Sequence, residues 1–253
     1  MIKAKKKFGQ NFLIDDLIIK SIINEIKFSE KFKYLEIGPG MGALTSELQK
    51  KTKNLGLIEV DPDMVKILRS KLNCTTQLFE GDILNFGDEF FNEYNVVLGN
   101  LPYYISTEII FRFIPITNID TLYFMVQKEV ADRLVAEKGS KDNSILTNLV
   151  GFNFRTEKFF DIKPDSFDPA PKVTSSFIKL IRRKDYMNEI AYVDFKRIIK
   201  ESFKFKRKNL KNNLKGILNP NDFENLNILP TIRAEDLSIN DFIKIAKYVI
   251  SNA

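Results

Sequence analysis

Apolar positions along this chain alternate between two spacings. Asp15 or Asp16 reads as a helix N-cap, and Leu17, Ile18, Ile19, Ile22, Ile23 and Ile26 follow at helical spacing. Tyr34-Leu35-Glu36-Ile37 then predicts a short buried strand, ended by Gly38-Pro39-Gly40-Met41-Gly42. From Ala43 to about Lys51 the pattern is helical again, with Leu44 and Leu48 one turn apart. Residues 55–60 predict a second strand, and Pro62 suits the first turn of the helix carrying Met64, Val65 and Leu68. Gln77-Leu78-Phe79 predicts a third strand and Val96-Val97-Leu98 a fourth. Residues 122–126 predict a fifth, followed by a helix from about Lys128 to Ala136. This alternation predicts an α/β fold, an open and mostly parallel sheet. Phe159-Phe160-Asp161-Ile162 and Ser176-Phe177-Ile178-Lys179-Leu180 follow without a long helix between them, which predicts an antiparallel hairpin at the sheet edge.

After Arg182-Arg183-Lys184-Asp185 only helical patterns remain, over about 193–203, 207–218, 222–226 and 240–250. Two domains are expected, 1–185 and a small all-helical 186–253. No repeat or low-complexity tract interrupts them.

Composition narrows the chemistry. The 253 residues include no histidine, no tryptophan and one cysteine, Cys74. Without histidine there is no Ser-His-Asp or Cys-His nucleophile system and no imidazole-ligated metal. With one cysteine there is no intrachain disulfide and no thiolate zinc cluster, so no metal and no oxidising compartment are expected. A hydrophobic content of 44% with 22 Phe supports a packed core rather than disorder. No apolar run approaches the ~18–20 residues of a membrane span. The basic start leads into Phe8-Gly9-Gln10-Asn11-Phe12-Leu13 rather than a signal-peptide core. A cytoplasmic protein is expected, and an organellar one with its presequence removed fits as well. The net charge of +6 mildly favours an anionic partner such as nucleic acid, although an AT-rich coding bias would also enrich lysine.

Three constellations carry candidate chemistry. Glu36-Ile37-Gly38-Pro39-Gly40-Met41-Gly42 sits at a strand-to-helix turn, where glycine lets the backbone approach a ligand. Glu59 and Asp61 close the second strand about 20 positions on, where an acid can bind a ribose diol. Gly38, Gly40 and Ala43 also satisfy the GxGxxA dinucleotide pattern, so an NAD site stays open. With Glu36 on the strand and Asp82 after the third strand, the turn resembles the S-adenosylmethionine site of class I methyltransferases, which implies a nucleoside cofactor without pyrophosphate. Asn100-Leu101-Pro102-Tyr103 is the second constellation, after the fourth strand. An aromatic amine is a poor nucleophile, and the Asn100 side-chain oxygen and Leu101 carbonyl are two acceptors that could hold its protons. Pro102 fixes the bend and removes a competing N–H donor, and Tyr103 offers a flat face. In the third, Phe167-Asp168-Pro169-Ala170-Pro171-Lys172-Val173, Phe167 could stack on a flipped base and Lys172 could meet a phosphate. Taken alone, the motif favours a core Phe beside a Pro-rich turn.

These motifs, together with EIGPGMGALT, GDIL, NLPYYIST, FDPAPKVTSS and Arg233-Ala234-Glu235-Asp236-Leu237-Ser238, resemble the KsgA/RsmA group of ribosomal RNA adenine dimethyltransferases nearly end to end. The resemblance implies a class I methyltransferase (Rossmann-like) domain over 1–185, with an RNA-binding helical domain over 186–253. It implies S-adenosyl-L-methionine as cofactor, held by Gln10, Asn11, Leu13, Gly38, Gly40, Glu59, Asp82, Ile83 and Asn100. Glu59 would take the ribose and Asp82 the adenine. Asn100, Leu101, Pro102, Tyr103 and Phe167 would form the catalytic set, with Tyr103 and Phe167 sandwiching the target adenine. The implied reaction is N6,N6-dimethylation of two adjacent adenines in the 3′-terminal hairpin loop of 16S-type RNA of the small ribosomal subunit. A monomer is expected. A large-subunit RNA methylase of Erm type, an NAD-dependent dehydrogenase and a non-enzymatic assembly or transcription factor on the same fold are the rivals.

One departure stands out. The family's Arg-Arg-Lys run is here Lys206-Arg207-Lys208 after Phe205, so charge is kept and one planar fork is lost. Between Lys196 and Lys215 nine cations accompany a single acid, Glu201. Lys204, Lys206, Arg207, Lys208 and Lys211, with Lys172, are the expected RNA-phosphate contacts.

Overall fold

The structure is a computed structural model and describes residues 4–252; Met1-Ile2-Lys3 of the basic start lie outside the described residues. Contacts divide the chain into two compact units, 1–131 with 157–182, and 132–156 with 183–253. The sequence pattern places a single boundary after 185, but residues 132–156 pack with the C-terminal segment.

In the first unit, a seven-stranded sheet runs in the order β4-β3-β2-β5-β6-β9-β7. Its strands are β2 (Tyr34–Ile37), β3 (Leu55–Glu59), β4 (Gln77–Glu80), β5 (Val96–Asn100), β6 (Thr121–Gln127), β7 (Phe154–Ile162) and β9 (Ser175–Arg182). Strands β2 to β6 are parallel, and β9 runs antiparallel to β6. The expected mostly parallel sheet with an antiparallel edge is therefore present. The segment between β7 and β9 is more than a turn. It holds β8 (Phe167–Asp168), which pairs with β1 (Phe12–Leu13) in a separate two-stranded antiparallel sheet.

The central strands explain the continuous apolar runs. Every residue of β2 and β3 is buried, as parallel strands covered on both faces require. Tyr34, Leu35, Leu57 and Val97 are each 0% exposed. Burying each such side chain contributes roughly 1.5–3 kcal/mol. Helix α1 (Asp16–Glu25) is capped by Asp15, which accepts from Leu17 N at 2.9 Å and Ile18 N at 3.2 Å. It buries Ile19, Ile22 and Ile23, while Leu17 points to solvent. Helices α2 (Ala43–Lys51), α3 (Pro62–Arg69) and α4 (Ser106–Arg112) follow β2, β3 and β5. Pro62 occupies the first turn of α3 behind the Asp61 cap. Arg182, the first residue of the basic run that reads as a boundary, is buried. Its guanidinium donates to the carbonyls of Phe113, Ile114, Ile116 and Ile119.

Helix α5 (Lys128–Leu134) leads into the second unit, which carries α6 (Ile145–Asn153), α7 (Tyr192–Ser202), α8 (Leu210–Asn213), α9 (Pro220–Leu226) and α10 (Ile239–Ser251). The pattern does not announce α4 or α6. Helix α6 buries six of its residues, so it has no polar face to give a helical period. The predicted helix over 207–218 shrinks to the single turn α8. Residues 203–208 instead fold around the buried Asn213 amide. Its nitrogen donates to the Ser202 and Phe205 carbonyls at 2.7 and 3.3 Å, and its oxygen accepts from Phe205 N at 3.1 Å. A local side-chain bond of this kind competes directly with helical bonding. Among the described residues no helix is long and apolar enough to cross a membrane, and no cluster of three metal-ligating side chains occurs.

Candidate active site

The chain builds β2, β3 and β4 on one side of the sheet and then returns to place β5 and β6 on the other. The order therefore reverses between β2 and β5, which are direct neighbours. Ligands of open α/β sheets bind in the crevice at the carboxyl ends of such a pair. Here Ile37 pairs with Gly99, so Gly38 and Asn100 stand side by side at that edge.

Gly38 adopts φ +62°, and a side chain built there would meet nothing closer than the Asn100 carbonyl at 4.0 Å. The turn thus presents bare backbone to open space, a cradle that a Cβ would fill. Gly40, at φ +56°, instead gives room to the Phe12 ring. A cleft follows, lined on its walls by Gly38, Gly40, Met41, Asn100 and Tyr103, with Phe8 to Leu13 laid across it.

Two acids enter the cleft. Glu36 is 2% exposed, and its carboxyl group accepts from the Thr45 hydroxyl at 2.6 Å. Burial pushes its carboxyl up to about 8, the Thr45 bond opposes this, and nearby Glu59 adds to it. Glu59 accepts from Gly40 N at 3.0 Å and Asp61 N at 2.9 Å. Its carboxyl is also raised, chiefly by burial, with these backbone bonds opposing. A carboxylate has about four lone-pair sites, so both oxygens of Glu59 keep capacity for ligand hydroxyls. Among the described residues no Lys or Arg lines this cleft. A pyrophosphate would find no cation here, whereas a nucleoside carrying a positive charge suits two carboxyl groups and bare glycine backbone.

An adjoining cavity of about 160 Å³ shares Phe8, Gly38, Val60 and Pro102 with the cleft and contains Asp82 and Ile83. One Asp82 oxygen caps the short 3-10 turn at 83–85 by accepting from Leu84 N at 3.0 Å, and the other remains for a ligand. Gly81 N bonds the Glu59 carbonyl at 2.9 Å, which ties the two acid-bearing strand ends together.

Asn100 ends β5. Its side-chain nitrogen donates to the Asn11 carbonyl at 2.8 Å, which turns the amide oxygen away from that bond as a free acceptor. Leu101 N is bonded to the Met125 carbonyl at 3.1 Å, and among the described residues nothing donates to the Leu101 carbonyl. Tyr103 is anchored by its hydroxyl, 2.5 Å from Ser175 Oγ, and its ring stays on the cleft wall. Nothing in the sequence near Tyr103 signals Ser175, which lies on β9.

One expected role changes and one is extended. Gln10 lines the cleft and is also bonded within the protein. The oxygen accepts from Lys5 N at 2.8 Å and the nitrogen donates to Asp61 at 2.8 Å. Gln10 therefore holds the 8–13 segment in place and keeps a second N–H and a second oxygen lone pair. Its partner Asp61 is fully buried and also takes the Lys5 ammonium at 2.5 Å. Burial raises the Asp61 carboxyl, but the Lys5 and Gln10 bonds outweigh it and leave the carboxyl below its ordinary value. Sequence reading places Asp61 only as a strand-end acid; its anchoring of the N-terminal segment emerges from the fold. Phe167 is corrected. It is 3% exposed, pairs with Leu13 across β1 and β8, and packs in the core with Ile19, Ile162 and Phe177. In this structure it offers no free face for a base, so only Tyr103 of the expected pair does. Leu13 is likewise buried but borders the cleft.

Of the expected RNA contacts, Lys172 is exposed in the loop before β9. In the second unit Lys204 pairs with Glu201 at 3.2 Å, while Lys206, Arg207, Lys208 and Lys211 are exposed.

The sheet order, the glycine cradle and the acid-lined cleft without cations define a Rossmann-like methyltransferase of class I. Comparison with known proteins narrows this. The family model "Ribosomal RNA adenine dimethylase" matches residues 1–251, and the chain belongs to that family. A ribosomal RNA small subunit methyltransferase A from Marinomonas sp. (strain MWYL1) is 38% identical over 255 residues, covering 98% of this chain and 96% of the relative. A dimethyladenosine transferase from Plasmodium falciparum superposes with a TM-score of 0.83 at 26% identity, covering 92% of this chain and 95% of that one. The 23S rRNA methyltransferase ErmE shares the fold, with a TM-score of 0.76 at 22% identity over 95% of this chain and all (100%) of that one.

Proposed function

We propose that this protein dimethylates N6 of adenines in small-subunit ribosomal RNA, using S-adenosyl-L-methionine, as a cytoplasmic enzyme acting as a monomer. The target would be the two adjacent adenines of the 3′-terminal hairpin loop of 16S-type RNA. The observation that carries the reading is the Asn100 amide. Its nitrogen is held by Asn11, so its oxygen and the Leu101 carbonyl form a pair of unspent acceptors beside a cationless cleft.

The residues fit the cofactor. Glu59 would accept from its ribose hydroxyls and Asp82 from its adenine amine, with the bare Gly38 backbone leaving room for it. When bound, the cofactor supplies an activated methyl group on a sulfonium. The chain then needs only to position the nucleophile. Asn100 Oδ1 and the Leu101 carbonyl each accept one amine proton, which holds the nitrogen closer to pyramidal and frees its lone pair. Pro102 adds no N–H that would compete for that lone pair, and Tyr103 supports one face of the base. The amine proton becomes acidic once nitrogen is alkylated and leaves to solvent, so no imidazole is required. Lys172 and the exposed cations of the second unit contact RNA phosphates.

The test is incubation with tritiated cofactor and small ribosomal subunits that lack the modification, followed by nucleoside analysis. The expected product is N6,N6-dimethyladenosine in the small-subunit RNA. Label in large-subunit RNA instead would turn the reading to an Erm-type enzyme, and no label would turn it to a binding factor.

A further inference from the structure

The second unit contains a cleft of its own, about 360 Å³ in volume, which the methyl-transfer site does not use. That size falls within the roughly 300–1,000 Å³ typical of small-ligand sites. Its cationic lip includes Lys141, Lys206 and Lys208, all exposed. Among the described residues none of these three reaches a carboxylate within 4.0 Å. Of the two acids on the lip, Glu235 is partnered by Arg233 at 3.6 Å, and Asp142 stands alone against the lysines. Phe205 also lines the cleft and is 56% exposed, with no ring partner among the described residues. Ser202 lies beneath the cleft at 0% exposure, out of reach of a ligand. The Asn213 amide fixes the 202–208 backbone, so the lip is built rather than loose.

We propose that this cleft binds one unpaired nucleotide of the RNA substrate. The base stacks on Phe205, and the phosphate meets Lys141, Lys206 and Lys208. A bare phosphate surface would need no aromatic face. The assignment rests on the reading of the chain as an RNA methyltransferase, and it adds a nucleotide site remote from the reacting amine.

The test measures fluorescence anisotropy of a 5′-fluorescein single-stranded hexa-adenylate titrated with the full-length protein. Phe205→Ala is expected to weaken binding about tenfold, and Phe205→Tyr to restore it. Lys141→Glu should weaken binding and reduce the salt slope by about one. Cofactor affinity, read by calorimetry, should stay unchanged in all of them. Wild-type affinity in Phe205→Ala, with weakened binding in Lys206→Glu/Lys208→Glu, would overturn the cleft and leave only a phosphate surface. Absence of methylated product with these oligonucleotide effects intact would count against the methyltransferase reading and support the cleft on its own.

Discussion

Replacing Glu36 with Gln should stabilise the protein, and by an amount that grows with pH. Glu36 sits on the central strand β2, 2% exposed, with one hydroxyl donor, Thr45, at 2.6 Å. Burial is the main reason its carboxyl is raised from 4.5 to about 8. The sign follows from linkage. The unfolded chain releases the proton near pH 4.5, while the native state keeps it until about pH 8. The native state therefore has its full stability below pH 4.5 and loses part of it as pH rises toward 8. At pH 7, about two and a half pH units above the unfolded value, the loss is about 3 kcal/mol at ~1.4 kcal/mol per unit. Glutamine has nearly the same shape, keeps an oxygen for Thr45, and cannot ionise. Urea unfolding of both proteins at pH 5, 6, 7 and 8 measures the difference. The stability gap should be under about 1 kcal/mol at pH 5, reach about 3 kcal/mol at pH 7, and level off above pH 8. A gap that is equal at pH 5 and pH 8 would refute the claim that Glu36 is a neutral acid in the folded protein.

Three further outcomes are expected. Asn100→Ala should lower the methyl-transfer turnover by about 10²–10³-fold, the loss typical of one placed hydrogen-bonding group, in single-turnover assays; wild-type turnover would remove Asn100 from the acceptor role. Asp61→Ala cuts both the Lys5 and Gln10 anchors, and should lower cofactor affinity about tenfold and open residues 4–13 to limited proteolysis. Unchanged affinity and unchanged cleavage would show that the segment is held by something else. Gly99→Ala would drive a methyl group into the Ile37 carbonyl across the β2–β5 pair, where backbone on both sides cannot yield. It should cost at least about 2 kcal/mol in denaturant unfolding, and a loss below 0.5 kcal/mol would show that the strands can separate locally.

Much of the site was legible in the chain because its parts are local. A glycine turn, an acid at a strand end and an Asn-Leu-Pro-Tyr corner each occupy a few consecutive residues, and each ends a strand that apolar runs had already marked. What the chain does not display is non-local. The resemblance implies a base-stacking ring at Phe167 where the residue pattern alone favours a core one, and pairing of β8 with β1 places it in the core. Gln10 is bonded by a carboxylate 51 positions away, which no local spacing signals. The helix over 207–218 fails because one buried amide, Asn213, takes the backbone groups that a helix would have used.

The sequence alone determined the class of chemistry. Zero histidine excluded imidazole catalysis, one cysteine excluded a disulfide or a thiolate metal cluster, and the order of strand, glycine turn, acid and amide specified a nucleoside cleft at the end of a parallel sheet. Those conclusions depend on residue type and on short spacings, which a linear chain displays. The tertiary structure alone decided which polar atoms stay free. Asn11 holds one end of Asn100 across 89 positions, Ser175 anchors Tyr103 across 72, and Asp61 ties down Gln10 across 51. Hydrogen-bond capacity is shared among whatever groups the fold brings within about 3 Å, so the free acceptors of a site exist only once the chain has closed on itself.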